Sequence, residues 1–264
     1  MKKSRWLRWL KKNAFLLQTL TKNELKVKYA SSYLGIFWSL LEPLLMIGVY
    51  SLVFPLILKV DFLSWVLFFV CGLIPFRFLR SGVIETTRSL VEKGEIINKV
   101  KIPLLVIPLS KTLARFIVFL IECSIFFILS LLFVKLTIML LLFPLIALSE
   151  FLMVSGLGLY FSVYYPRYRD LDYILNVVFE ALLFLTPIVY RVEMIPREYR
   201  NVYMLNPFAR LIYAYQGIML YASPYFVKTS IVENCIFVFI ASVVIFIIGI
   251  KIFEKHKYEA VGAI

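Results

Sequence analysis

Residues 29–45 read YASSYLGIFWSLLEPLL, a polar, serine-bearing turn running into an apolar helix that carries an acid, Glu42, and a helix-breaker, Pro43. Neither residue suits a helix that faces only lipid. A carboxylate at mid-bilayer costs about 2.5–3.5 kcal/mol on insertion scales, so Glu42 must find protein or water. Pro43 brings no backbone N–H and loosens or bends the helix around it. The stretch predicts a first membrane span with one polar face.

The rest of the chain extends that reading. Its 264 residues are 62% hydrophobic, with mean hydropathy +0.89, too much apolar surface for one soluble core. About 20 apolar residues cross the hydrocarbon, and six runs meet that need, at roughly 35–58, 62–80, 103–133, 136–164, 173–190 and 230–253. The expected fold is an all-α polytopic membrane protein forming a single transmembrane domain over 1–264. Residues 1–34 form an interfacial segment, 35–253 the six-span bundle and 254–264 a cytoplasmic tail.

The formal net charge of +13 raises the question of nucleic acid, but the basic residues lie in the wrong places for it. Nine of the 29 precede Ser31, and most others flank apolar runs, in the 77–101 segment, the 165–172 loop and the tail. Short basic flanks stay cytoplasmic, so both termini are expected in the cytoplasm and no nucleic-acid partner is expected. Residues 6–28 interrupt their apolar positions with charge, so no secretory leader is expected. Leu10, Ala14, Leu17 and Leu20, with Trp6 and Trp9 nearby, space out as in a helix lying on membrane lipid. Between the fifth and sixth spans, 191–229 is too apolar for a solvated loop. Pro196, Pro207 and Pro224 cut it into pieces suited to short re-entrant helices dipping into the outer leaflet.

Several chemistries lack material. The lone histidine, His256, stands among lysines, and no metal cluster is expected. No G-x-x-x-x-G-K-[ST] occurs, so the chain has no P-loop of its own. Cys71, Cys123 and Cys235 are far apart inside or beside apolar segments and read as reduced helix residues. Glu42, Glu122, Glu150 and Glu180 remain as intramembrane acids, suited to hydrogen-bonded packing or a proton relay. Only Lys111 and Arg115, near a span's start, offer partners within the membrane on this reading. Ser155, Gly156, Gly158 and Ser162 give the fourth span a small-residue face for close helix approach.

Six ordered pieces resemble the membrane subunit of type-2 ABC exporters of polysaccharide, the family that moves O antigen or teichoic acid. They begin with Tyr29-x-x-Ser32-x-Leu34-Gly35-x-x-Trp38 and Glu42-Pro43, followed by Gly72-Leu73-Ile74-Pro75-Phe76. Next come Ile97-Asn98-Lys99-Val100-Lys101-Ile102-Pro103, running on to Ile107-Pro108-Leu109-Ser110, and Tyr168-Arg169-Asp170-Leu171. Thr186-Pro187-Ile188-Val189-Tyr190 and Leu205-Asn206-Pro207-Phe208 complete the set. An arginine common where Gln216 stands is absent, and nothing from Tyr258 onward matches.

The resemblance implies a non-catalytic permease in the inner membrane, working as a homodimer with two copies of a separate ABC ATPase. That partner would bind ATP and Mg, leaving no cofactor in this chain. Residues 82–101 would form the cytoplasmic coupling segment, with Ile84, Arg88, Val91, Glu92, Lys93, Glu95 and Ile96 as its docking surface. The first and fifth spans would line the path of a lipid-linked polysaccharide. Aromatic rings can stack on sugars, which nominates Tyr33, Phe37, Trp38, Tyr50 and Phe54 beside Glu42 on the first span. Phe179, Phe184 and Tyr190 are nominated on the fifth. The alternatives are a permease for a small lipophilic compound, or a membrane enzyme using the intramembrane acids on lipid-linked sugars.

Overall fold

A computed structural model describes residues 3–30, 32–134, 137–221 and 231–264, with the backbone alone over 3–12. Among the described residues there are ten α-helices and no strand. They are α1 (Lys3–Tyr29), α2 (Trp38–Leu58), α3 (Phe62–Glu92), α4 (Gly94–Lys99), α5 (Val106–Phe133), α6 (Phe143–Ser162), α7 (Leu171–Phe184), α8 (Arg197–Tyr203), α9 (Pro207–Met219) and α10 (Ile231–Val261). Five helical segments are long and apolar enough to cross a membrane: Gly35–Leu58, Phe62–Glu92, Val106–Phe133, Ile138–Ser162 and Ile231–Val261.

The expected fifth span, 173–190, is built differently. Its helix, α7, has 14 residues, about 21 Å at 1.5 Å per residue, short of a hydrocarbon core of about 30 Å. Tight turns from Leu185 to Tyr190 complete the passage. Near its start Asp172 meets Arg88 of α3, and at its far end the Val189 carbonyl accepts a hydrogen bond from Trp65 Nε1 at 3.0 Å. Arg88 and Trp65 are roughly 34 Å apart along α3. The segment thus makes a sixth passage, part helix and part turn.

α3 is the central post, buried along most of its length against α5, α6, α7 and α9. It does not stop at residue 80 as expected but continues to Glu92. α10 likewise runs past residue 253 to Val261, with Phe253 and Ala260 buried, so the expected tail is largely helix. α2 stays helical through Pro43 and Pro55, both on its packed stripe of Ser39, Pro43, Ile47, Ser51 and Pro55. Each proline denies an N–H to the carbonyl four residues back, that of Ser39 and of Ser51.

α8 and α9 answer to the expected short helices of 191–229, while 222–230 lies outside the described residues. Asn206 caps α9, its side chain accepting from Phe208 N at 3.0 Å, with Pro207 in the first turn. α9 enters the bundle: Leu211, Ile212 and Tyr215 are fully buried. Gln216 donates to the Pro187 carbonyl and lies against Gly72, about 15 Å along α3 from its start. Tyr215 donates to Glu150 Oε2 at 2.7 Å, so that acid ties α6 to α9.

The small residues of α6 serve two neighbours. A Cβ on Gly158 would lie 2.6 Å from Thr86 Cβ of α3, and one on Gly156 would lie 2.7 Å from Phe246 Cα of α10. A Cβ on Gly249 would strike the Gly156 carbonyl. At one end of the bundle α1, α4, the 163–164 turn and the end of α10 gather around Leu90, Leu105, Ile107 and Leu159. There the Ile264 side chain covers Gly94, which links the C-terminal residues to the expected coupling segment.

Replacing Gly249 by leucine is expected to separate α6 from α10 and cost at least the 1–3 kcal/mol of an overpacked core, read as a lower unfolding temperature in detergent. Gly48→Ala, which meets nothing within 4 Å, should leave that temperature unchanged or raise it.

Candidate functional site

α2 and α3 form an antiparallel hairpin whose facing residues keep a four-residue beat. Phe54 stacks on Trp65 with ring centroids 5.8 Å apart, Tyr50 on Phe69 at 5.1 Å, and Glu42 Oε2 meets Arg77 at 3.0 Å. One end of this seam is aromatic and the other is charged. Between the two helices, with Leu183 of α7 alongside, lies a cleft of about 400 Å³.

The charged end explains Glu42. Arg77 sits between two acids, with Glu42 on one side and Glu122 of α5 at 3.6 Å on the other. Arg80 reaches α7, contacting Glu180 and Asn176 at 3.3 Å each. Arg115 of α5 donates to Ser81 Oγ and lies 3.6 Å from Glu85, which also meets Lys28 at 3.3 Å. Three of the four intramembrane acids thus have cationic partners. The sequence concealed them because Arg77 and Arg80 follow an apolar run and look like its cytoplasmic flank, whereas α3 carries on past them.

The nominated path residues do not share one location. Glu42 and Tyr50 line the cleft, and Phe54 continues its aromatic end. Trp38 borders a smaller adjoining space of about 220 Å³ with Tyr29, Glu42, Arg77 and Glu122. Tyr33, Phe37 and Phe184 are exposed and touch neither space. Phe179 is buried, edge-on to Phe76, a cleft residue. Tyr190 is half-buried, donating to the Phe184 carbonyl at 2.6 Å and accepting from Tyr203 Oη at 3.2 Å.

The nominated docking residues divide likewise. Ile84 is buried in the core because α3 is still inside the bundle there. Arg88 grips Asp172, its Nε and one terminal nitrogen each donating to a carboxylate oxygen at 2.6 Å. Such a bidentate pair fixes direction as well as distance. Glu92 and Lys93 belong to a four-residue latch: Glu24 of α1 meets Lys93 at 2.7 Å and Lys111 at 2.8 Å, and Lys111 meets Glu92 at 2.7 Å. Val91 is half-buried, while Glu95 and Ile96 on α4 are exposed.

That latch alters the reading of α1. Its face toward the bundle is Asn13, Thr21 and Glu24 with Leu17 half-buried, lying against α5, a polar contact that the apolar spacing did not reveal. Ala14 is exposed and Leu20 half-buried, and the side chains of Trp6, Trp9 and Leu10 lie outside the described residues. Burial raises the Glu24 carboxyl, but the hydrogen bonds and charges of Lys111 and Lys93 outweigh it and hold the group below its ordinary 4.5.

An ABC-2 type transporter family model matches residues 15–220. This chain belongs to the ABC-2 type transporter family. Two O-antigen export system permease proteins RfbA of Klebsiella pneumoniae are each 30% identical to it, covering 92% of this chain and 93% of the relative. One of the same name from Myxococcus xanthus is 26% identical over the same shares. As a member of an ABC transporter family, the permease has an ABC ATPase as its partner.

The Glu24 latch sets a pH dependence. A carboxyl held low in the fold contributes fully above its unfolded value near 4.5, and that contribution is lost as pH falls through the folded value. The protection factors of amides 13–29, measured against their intrinsic exchange rates, should therefore fall as pH drops below the unfolded value of 4.5. In Glu24→Gln they should be low already at neutral pH and should not change across that range.

Proposed function

We propose that the chain is the membrane half of an ATP-driven exporter of a lipid-linked polysaccharide, O antigen or a related polymer, across the inner membrane. The observation that carries this reading is the end-to-end similarity to permeases named for O-antigen export, over 92% of this chain. The cleft supports it. A carboxylate with a 62% exposed side chain, Glu42, sits on a helix otherwise bared in apolar residues such as Val49 and Leu52. In a bilayer that face needs water or a second subunit.

Two copies enclose the path, with Trp38, Glu42, Tyr50 and Phe54 on its wall and aromatic rings offering stacking faces to sugars. The basic flanks and the gathering of both chain ends at one end of the bundle favour cytoplasmic termini. The chain itself performs no catalysis: ATP and Mg belong to the ATPase, two copies of which dock at that end. Glu95 and Ile96 form the exposed contact, and Arg88, through Asp172, carries the push of α4 and the α3 end to α7. Arg88 is thus a positioning residue.

Co-expression with a candidate ATPase and purification through a tag on the ATPase should recover this chain in equal amounts; its consistent absence overturns the reading. Glu95→Ala with Ile96→Ser should lower stimulated ATP hydrolysis at least several-fold while leaving membrane insertion intact. Asp172→Asn should leave the complex assembled and ATP hydrolysis present but lower transport per ATP, since loss of one part-exposed charge-assisted pair costs about 1 kcal/mol after solvent screening.

A further inference from the structure

The cleft has a polarity along its length. Its α3 wall presents Phe69, Leu73 and Phe76, then Arg77, Arg80 and Glu85, on one stripe of the helix. From Phe69 to Arg80 is about 16 Å. Lys28 and Arg115 add to the charged end, so four cations face two carboxylates, Glu42 and Glu85, within the lining. Arginine is the side chain best matched to phosphate oxygens, which it can hold in pairs.

Two of the acids paired with the arginines of this stripe are loosely committed: the Glu42 and Glu180 side chains are 62% and 67% exposed. Arg77 keeps a second, buried acid in Glu122 at 3.6 Å. An exposed ion pair such as Arg80–Glu180 contributes about 0–1 kcal/mol, so a stronger anion exchanges for Glu180 at little cost and for Glu42 while Glu122 stays in place. Beyond the apolar end, the outer face of α2 bares Leu45, Val49, Leu52 and Leu56.

We propose that this cleft holds the phosphate-bearing head of an amphiphile, with Arg80 and Arg77 taking the phosphate in place of Glu180 and Glu42. The first carbons of its chain lie against Phe69, Leu73 and Tyr50. The ligand class is a lipid phosphate or diphosphate. This rests on the exporter reading, in which such a head joins lipid to sugar, and it assigns that end of the substrate a place.

The test uses the full chain in nanodiscs of zwitterionic lipid, with farnesyl diphosphate, farnesol and inorganic pyrophosphate as probes and binding read by thermophoresis. Farnesyl diphosphate should bind at least ten-fold more tightly than either other probe. Arg80→Gln should weaken it about ten-fold, the loss of one charge-assisted contact. Glu180→Gln should tighten it several-fold, because a competing anion is gone; a purely structural pair would give no gain. Equal binding of pyrophosphate would make this a free-phosphate site, equal binding of farnesol an apolar groove, and either result overturns the proposal. So does an unchanged affinity in both variants. No ATPase is present, so a negative result alongside intact co-purification removes the head-group site and leaves the exporter reading standing.

Discussion

Charge inside an apolar medium must be neutralised by a partner, and α3 is where this chain meets that constraint. A helix of 31 residues carries Arg77, Arg80, Glu85 and Arg88 through the bundle, and each meets a group from another element: α2 and α5 for Arg77, α7 for Arg80 and Arg88, α1 and α5 for Glu85. Where the pair is buried, as between Arg77 and Glu122, deleting one partner would strand a charge in low dielectric, which is far costlier than never having had the pair. Helix order and register around α3 are therefore specified by electrostatics, where lipid-facing apolar surfaces alone would specify little.

The same logic organises the α3–α4 end of the bundle. α1 is bound through Glu24 to both α3 and α5, and α7 through Asp172 to Arg88. α4 lies between these contacts, followed by a chain that returns into α5 at Val106. A displacement of α4 is thus felt by α1 and α7 together, because both are attached within two turns of it.

Much of this was legible in the sequence, and the limits have physical causes. Apolar length located the starts of five spans within a few residues, and proline spacing located α8 and α9. Composition could not show that α3 and α10 run on as helices, since a basic stretch after an apolar run looks alike whether it is solvated or paired. The partners of Glu42 and Glu122 were missed for that reason: Arg77 is 35 positions from Glu42 in sequence, and only the hairpin register brings them together. Ile84 was nominated for docking because residue 80 was taken as the end of a span. The polar face of α1 was not legible, because its partners Lys93 and Lys111 lie far along the chain. The four-residue recurrence of Tyr50 and Phe54 against Phe69 and Trp65 was present in the letters, and the antiparallel turn at 59–61 would have aligned it.

The glycine contact between α6 and α10 bears on how such a molecule can move. Where two backbones touch with no side chain between them, sliding or rotation meets hard repulsion at once. α6 also accepts Thr86 of α3 against Gly158, so α3, α6 and α10 form one stiff block. α2, packed along a single stripe that includes two prolines, has no such backbone contact. Any opening of the cleft is therefore easier by shifting α2 than by deforming that block.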